Sequence, residues 1–395
     1  MQKLPTILLR KGKDESLKRF HPWVFSGAIR QVEGKIQEGD LVCVQDENRR
    51  FLGIGHYAAG SIAVRILSFL NAAIDEDWWI AKLTKAWELR LSEGLLKEGY
   101  NNMFRLIHAE GDGLPGLIVD YYDGVVVIQA HSLGMYKALD DISAALRSVL
   151  GVQLKGIYNK SSESLSKIKV TTENGWLSNL SVEPGPCFEN GLNFKIDWIG
   201  GQKTGFFLDQ RDNRLLLSKY CKGKSVLNTF CYTGGFSVFA LQGGATLVHS
   251  LDSSAPALEL TEENVNINGF ANERHGIIRA DAIEYLKSPD LQYDIVVLDP
   301  PAFAKRLDAR HAAVQAYKRL NYRGILAVKP GGYLFSFSCS QVVDNDLFRH
   351  TVRAAAIEAG RDVQLLHCLR QGADHPVSLF HPEGEYLKGV VLKVY

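Results

Sequence analysis

Four residues in the second half of the chain have types and positions suited to chemistry: Asp252 in LDSS, Asp281 in RADA, Asp299 in VVLDPPAF and Cys339 in FSFSCSQVV. Each follows a run of apolar, β-prone residues, so each is expected at the carboxyl end of a strand. A carboxylate there can accept hydrogen bonds from ribose hydroxyls or from the exocyclic amine of a base. A thiol there can add, as its thiolate, to an electron-poor carbon. Both residue types also have commoner uses, aspartate as the cap of the next helix and cysteine as a small buried apolar group. Three aspartates at successive strand ends, and a thiol flanked by Ser338 and Ser340, favour the chemical reading.

The stretch KSVLNTFCYTGGFSVFAL, 224–241, must position these groups. It predicts a strand over 225–229, a tight turn carrying Gly234 and Gly235, and a helix whose first N–H groups are unpaired. Beyond it, strands are expected at 246–251, 275–280, 293–298, 332–337, 363–368 and 387–394. Helices are expected at 235–242, 255–267, 282–287, 309–328 and 345–359. This alternation implies an α/β, Rossmann-like domain with a mainly parallel seven-stranded sheet, its last strand added antiparallel.

The turn FCYTGGF lacks the G-x-G-x-x-G spacing of a dinucleotide site, and no G-x-x-x-x-G-K-[ST] phosphate loop occurs. A ligand with adenosine and a charged tail but no phosphate fits better, namely S-adenosylmethionine. On this reading Gly234 lets the ligand approach the backbone, and Cys231 forms part of the pocket wall. Asp252 takes the ribose hydroxyls, and Asp281 takes the adenine amine beside the Ala282 N–H. Pro300 and Pro301 fix φ after Asp299 and leave carbonyls displayed beside Phe303, a setting for a flat base.

Methyl transfer from a sulfonium needs a nucleophilic acceptor. A nitrogen brings its own lone pair, whereas carbon 5 of a pyrimidine becomes nucleophilic only after a thiolate adds to carbon 6, and a base must later remove the carbon 5 proton. Cys339, after the fifth strand and beside the Asp299 loop, is placed for that addition.

The whole chain has 395 residues, 46% hydrophobic and 23% charged, with net charge +1, which is globular composition for two or three domains. Near-neutral charge gives no global field for nucleic acid, so any such partner needs a local patch. Residues 1–70 read as a small β-barrel domain. Lys3, Arg10, Lys11, Lys13, Lys18, Arg19, Arg30 and Lys35 make its first half basic, either a solvated face or an RNA patch assisted by His21 and Trp23. Residues 71–185 read as a middle α/β domain, with helices over 75–96 and 136–150 and a turn-rich exit through Pro184, Gly185 and Pro186. Trp78, Trp79 and Trp87 are expected in its core. The third domain, 186–395, opens with a hairpin around Asn190-Gly191. Six separated cysteines are expected as reduced thiols, with no metal site. No apolar run is long enough to span a membrane, and the cytoplasm is the expected location.

The segments GQKTGFFLDQRDNR, NTFCYTGGFSV, LDSS, RADA, DPPAF, FSCS and ADHPV...PEGEYLKG together resemble the bacterial 23S ribosomal RNA large-subunit methyltransferase I family, which forms 5-methylcytosine. HPWVFSGAI is similar to that family's PUA RNA-binding domain. The resemblance implies Cys339 as nucleophile, with Gln210, Phe230, Asp252, Ser253, Asp281 and Asp299 around the cofactor and base, and Lys203, Pro300, Pro301 and Phe303 toward the RNA. DPPAF lacks the second cysteine that many RNA cytosine-5 methyltransferases carry there, so the proton-removing base is open, with Asp299 a candidate. A nitrogen methyltransferase acting on guanine or adenine, and a noncatalytic cofactor-binding assembly factor, are the alternatives. A homodimer is left open.

Overall fold

The computed structural model describes residues 4–177, 182, 185–270, 273–288 and 292–395, so Lys3 and Pro184 lie outside the described residues. The chain divides into two compact units, one formed by Met1–Cys187, Ile196–Phe206 and Ala373–Gly384, the other by Phe188–Lys195, Phe207–Gly372 and Glu385–Tyr395. The segments at 196–206 and 373–384 thus return to the first unit. Their anchors are long-range: Thr204 donates to Asp120 at 2.5 Å, and the main-chain oxygen of Asp374 accepts from Arg90 at 2.9 Å. Local sequence pattern carries no trace of such pairings.

The first unit contains a six-stranded sheet in the order Trp23–Phe25, Ile62–Ser68, Phe51–Tyr57, Leu41–Gln45, Thr6–Leu9, Ile29–Glu33. Alternate residues turn inward, as in Leu41–Gln45, where Val42 and Val44 are fully buried beside Ile7, Leu9 and Val64. The run WVFSGAI is not one strand, because Ser26–Ala28 forms a short 3-10 turn inside it. A five-stranded sheet follows, ordered Gly175–Trp176, Gly156–Asn159, Val125–Ala130, Leu117–Tyr122, Met103–His108. The helix Glu76–Ser92 starts at Asp75, whose side chain accepts the Trp78 N–H, and it buries Trp79, Leu83 and Trp87. The helix expected over 136–150 is two helices, Leu133–Lys137 and Leu139–Leu150, because Ser132 caps the Met135 N–H and starts the first early.

The second unit carries the doubly wound sheet. In chain order its elements are β1 (Ser225–Thr229), α1 (Gly235–Gln242), β2 (Leu247–Asp252), α2 (Ala255–Ile267), β3 (His275–Arg279), α3 (Ala282–Tyr285), β4 (Tyr293–Leu298), α4 (Arg310–Ala327), β5 (Val328–Ser338), α5 (Asn345–Ala359), β6 (Val363–Arg370) and β7 (Lys388–Val394). The sheet order is β3-β2-β1-β4-β5-β7-β6. β7 runs antiparallel to both neighbours. The order reverses between β1 and β4, where crossovers leave in opposite directions and open a crevice at the carboxyl ends of the strands. β5 begins earlier than expected, since residues on both sides of Gly331-Gly332 join the ladder. The core gathers Leu227, Val296, Leu298, Tyr317, Leu334 and Phe348. A two-stranded hairpin, Cys187–Glu189 with Leu192–Phe194, turns through Asn190 and Gly191 at φ of 52° and 79°, the pair of positive values a type I′ turn needs. Among the described residues no helix is long and apolar enough to cross a membrane.

Candidate active site

The turn after β1 is held in a costly conformation. Phe230, Tyr232 and Gly234 all have positive φ, at 55°, 47° and 77°. For the two aromatic residues this costs on the order of 1–2 kcal/mol each, so the surroundings must impose it. They do: the Tyr232 N–H donates to Asp252 Oδ2 at 3.0 Å, Thr261 Oγ1 donates to the Tyr232 carbonyl at 2.8 Å, and Asn264 Nδ2 donates to the Thr233 carbonyl at 2.9 Å. A Cβ at Gly234 would come within 2.6 Å of Thr261 Cγ2. The turn is therefore fixed from β2 and α2 before any ligand arrives.

Asp252 ends β2 half-buried, and its other oxygen accepts the Ser254 N–H at 3.0 Å. A carboxylate offers about four lone-pair sites, so two remain for hydroxyl donors. Its neighbour Ser253 is exposed. Asp281 follows β3 and caps α3, accepting the Glu284 N–H at 3.0 Å through Oδ1, while Ala282 is buried. Gln210 is buried, and its side-chain oxygen accepts from Asn213 at 2.6 Å. Phe230 is half-buried against the core. An acceptor set with two main-chain-held carboxylates and a strained, phosphate-free turn suits the hydroxyls and amine of an adenosine and the cationic tail of S-adenosylmethionine, whose chemistry is a methyl group on a sulfonium.

The loops after β4 and β5 are tied together. Pro300 is buried, Pro301 exposed, and Phe303 half-buried with its ring 4.6 Å from that of Tyr317 on α4. The Tyr317 hydroxyl and Ser340 Oγ lie 3.1 Å apart, and the Ala304 N–H donates to Ser340 Oγ at 3.4 Å. DPPAF and FSCS thus share one anchor, with Asp299 at the start of the first loop and Cys339 half-buried in the second. Burial pushes the Tyr317 phenol up, and a Cys339 thiolate pushes it further the same way.

The other thiols are poorly placed for nucleophilic work. Burial pushes Cys187, Cys221 and Cys231 up to about 12 each, which keeps them protonated. Burial raises Cys43 as well, and it belongs to the first unit's six-stranded sheet. Cys368 is exposed and lies on β6, the edge strand, separated from β5 by β7. Lys203 belongs to the returning segment 196–206 of the first unit.

Two residues here escaped sequence reading. Tyr317 carries no signal beyond helix periodicity. Lys388 is a lysine inside the apolar run LKGVVLKV, a pattern that could have drawn notice, and it is 3% exposed. The first unit adds a further cluster, in which ligand atoms of His21, His381 and Glu383 lie within 4.8 Å of one another. His21 Nδ1 accepts the Trp23 N–H at 3.2 Å, and its Nε2 lies 3.6 Å from Glu383 Oε2. The Trp23 indole itself donates to Glu110 at 2.8 Å and its ring lies 4.5 Å from His381.

Comparison with known proteins fits this geometry. A family described as S-adenosylmethionine-dependent methyltransferase matches residues 105–370, and a PUA-like domain matches 7–69. "Ribosomal RNA large subunit methyltransferase I" of Alteromonas mediterranea is 39% identical, covering 98% of each chain. The protein of that name from Shewanella denitrificans is 40% identical over 98% of this chain and 99% of its own. A Streptococcus mutans protein described as a SAM-dependent methyltransferase has a TM-score of 0.84 at 22% identity, over 98% of this chain and 99% of its own. A second solved chain, in complex with SAH, also has a TM-score of 0.84, at 23% identity and with full coverage of both chains (100% each). These two structures support the fold. On the full-length matches, the chain belongs to the ribosomal RNA large subunit methyltransferase I family of S-adenosylmethionine-dependent methyltransferases.

Proposed function

We propose that the protein methylates carbon 5 of a cytosine in 23S ribosomal RNA, in the cytoplasm, with Cys339 as nucleophile. The observation that carries the reading is the shared Ser340 anchor, which holds the half-buried Cys339 loop beside the Asp-Pro-Pro loop that follows β4. Asp252, Asp281 and the strained 230–234 turn hold and orient the cofactor. Pro300, Pro301 and Phe303 receive the flipped base, with main-chain carbonyls facing its amine and an aromatic ring against its face. The Cys339 thiolate adds to carbon 6 and forms a C–S bond, and the pair of the 5,6 double bond moves to carbon 5, which takes the methyl group as the methyl–sulfonium bond breaks and its electron pair stays on the departing neutral thioether, S-adenosylhomocysteine. Asp299 removes the carbon 5 proton, the double bond returns, and the C–S bond breaks to regenerate the thiolate.

Replacing Cys339 separates this route from nitrogen methylation, which needs no thiol. Cys339→Ala is expected to lower methyl transfer to 23S rRNA by at least about 10³-fold while S-adenosylmethionine binding, followed by calorimetry, stays at the wild-type level. Transfer near the wild-type rate by the variant would overturn the nucleophile assignment. Cofactor binding by the wild type with no transfer to deproteinised rRNA or to ribosomal subunits would favour a noncatalytic assembly role.

A further inference from the structure

Lys388 opens β7 directly opposite Ser338, the last residue of β5. It is 3% exposed, yet among the described residues no carboxylate lies within ion-pair distance of it. Its ammonium instead donates to the carbonyls of Ser340 and Val343, both at 2.7 Å. These oxygens bracket the turn that follows Cys339, and the Ser340 carbonyl also accepts the Val343 N–H at 3.2 Å. A buried cation satisfied only by two neutral carbonyls has no counter-charge, so a nearby anion would be strongly favoured. Burial pushes the Lys388 ammonium down to about 8, and the foremost group opposing that shift is Cys339, ahead of Asp344 and Glu385. The interaction is reciprocal, because a thiolate that favours the ammonium is favoured by it to the same degree.

We infer that Lys388 is a positioning residue for methyl transfer, fixing the Ser340–Val343 turn that presents Cys339 and supplying the positive charge that stabilises its thiolate. This rests on Cys339 as the nucleophile. Among the described residues, other titratable groups near the pair are Tyr317 on α4, Asp299 in the adjoining loop after β4, Asp344 before α5, which pairs with Arg310 at 3.3 Å, Glu385, which accepts from Asn345 at 3.2 Å, and Arg370, opposite Lys388 on β6. Of these, the carboxylates oppose thiolate formation, whereas Lys388 is a buried cation that favours it.

The test is the pH dependence of Cys339 alkylation by iodoacetamide in the full-length protein without RNA, read peptide by peptide, with exposed Cys368 as internal control. Lys388→Met is expected to raise the Cys339 midpoint by about one pH unit, leave Cys368 unchanged, and lower transfer at pH 7 about tenfold, the loss of thiolate that such a shift implies. The deficit should close at high pH, where both thiols ionise, and Lys388→Arg, which keeps the charge, should move the midpoint less than Lys388→Met. A purely structural clamp would lose activity equally at every pH. Should Lys388→Met fail to fold, Cys339→Ala gives the reciprocal readout, a downward shift of the Lys388 titration followed by its ¹³Cε resonance. An unmoved Cys339 midpoint, or an unmoved Lys388 titration, overturns the inference. Failure of the nucleophile reading is distinct, because Cys339→Ala would then transfer methyl normally while the alkylation shift persisted.

Discussion

In the first unit, Asp112 and Asp120 each accept two hydrogen bonds from an arginine, in addition to the His108 main-chain N–H on Asp112 and the Thr204 hydroxyl on Asp120, whereas in the second unit Asp252 and Asp281 accept from main-chain N–H groups. Arg90 reaches Asp112 at 2.6 and 2.8 Å, and Arg105 reaches Asp120 at 2.8 and 2.9 Å, with Arg90 and Asp120 fully buried. Such a carboxylate is neutralised, saturated and unable to serve a ligand. A carboxylate held by main-chain N–H groups keeps its net charge and spare lone pairs, and stands half-buried or exposed at a strand end. Burial depth and partner type, more than residue identity, separate an aspartate that builds the fold from one that can meet a cofactor.

The largest effect expected from this contrast is on stability in the first unit. Asp112→Ala leaves the Arg90 guanidinium buried without its counter-charge and should cost about 3–5 kcal/mol, measured by urea unfolding, with cofactor affinity preserved in the fraction that folds. Asp252→Ala should do the reverse, weakening S-adenosylmethionine binding by about 10- to 100-fold through the loss of charge-assisted hydrogen bonds, at a stability cost near the ~1 kcal/mol of a lost cap. If calorimetry found both variants equally impaired in binding, the distinction between the two uses would break.

Acid should sharpen the same contrast through histidine. Burial pushes His56 and His131 in the first unit, and His275 in the second, down to about 4 from an ordinary 6.5. Between those values the unfolded chain takes up protons that the folded chain refuses. Stability is therefore fully present above pH 6.5 and falls as pH drops toward 4, by on the order of 1–2 kcal/mol per buried histidine at pH 5. Unfolding free energies at pH 7, 6 and 5 check this, and a pH-independent value would contradict it. The smallest effect belongs to the exposed pair Lys195–Glu263, 2.8 Å apart, whose removal should cost less than about 1 kcal/mol.

Much of the second unit was legible because strand, turn and helix signals there are local. The helices 235–242 and 255–267, the Asn190-Gly191 turn and the antiparallel last strand all follow from periodicity and turn chemistry over a few residues. The acidic strand ends could be read as candidates for the same reason. What escaped was set by distance along the chain. Thr6–Leu9 is four residues long and takes its register from Ile29–Glu33 and Leu41–Gln45. The return of 373–384 to the first unit depends on Arg90, some 284 residues away from Asp374. The Tyr317–Ser340 contact and the Lys388 clamp join residues that no periodicity relates. Asp281 shows the opposite trap, since its helix-capping role is real and coexists with an exposed carboxylate.

The most direct measurement of the central claim is nucleoside mass spectrometry of 23S rRNA from cells with and without this protein, with the modified position mapped and transfer then reconstituted on the unmodified RNA. A single 5-methylcytosine that disappears with the protein and is restored by it is the predicted result. Loss of an N-methylated guanine or adenine instead, with every 5-methylcytosine intact, would contradict carbon 5 transfer and the thiol route built on Cys339.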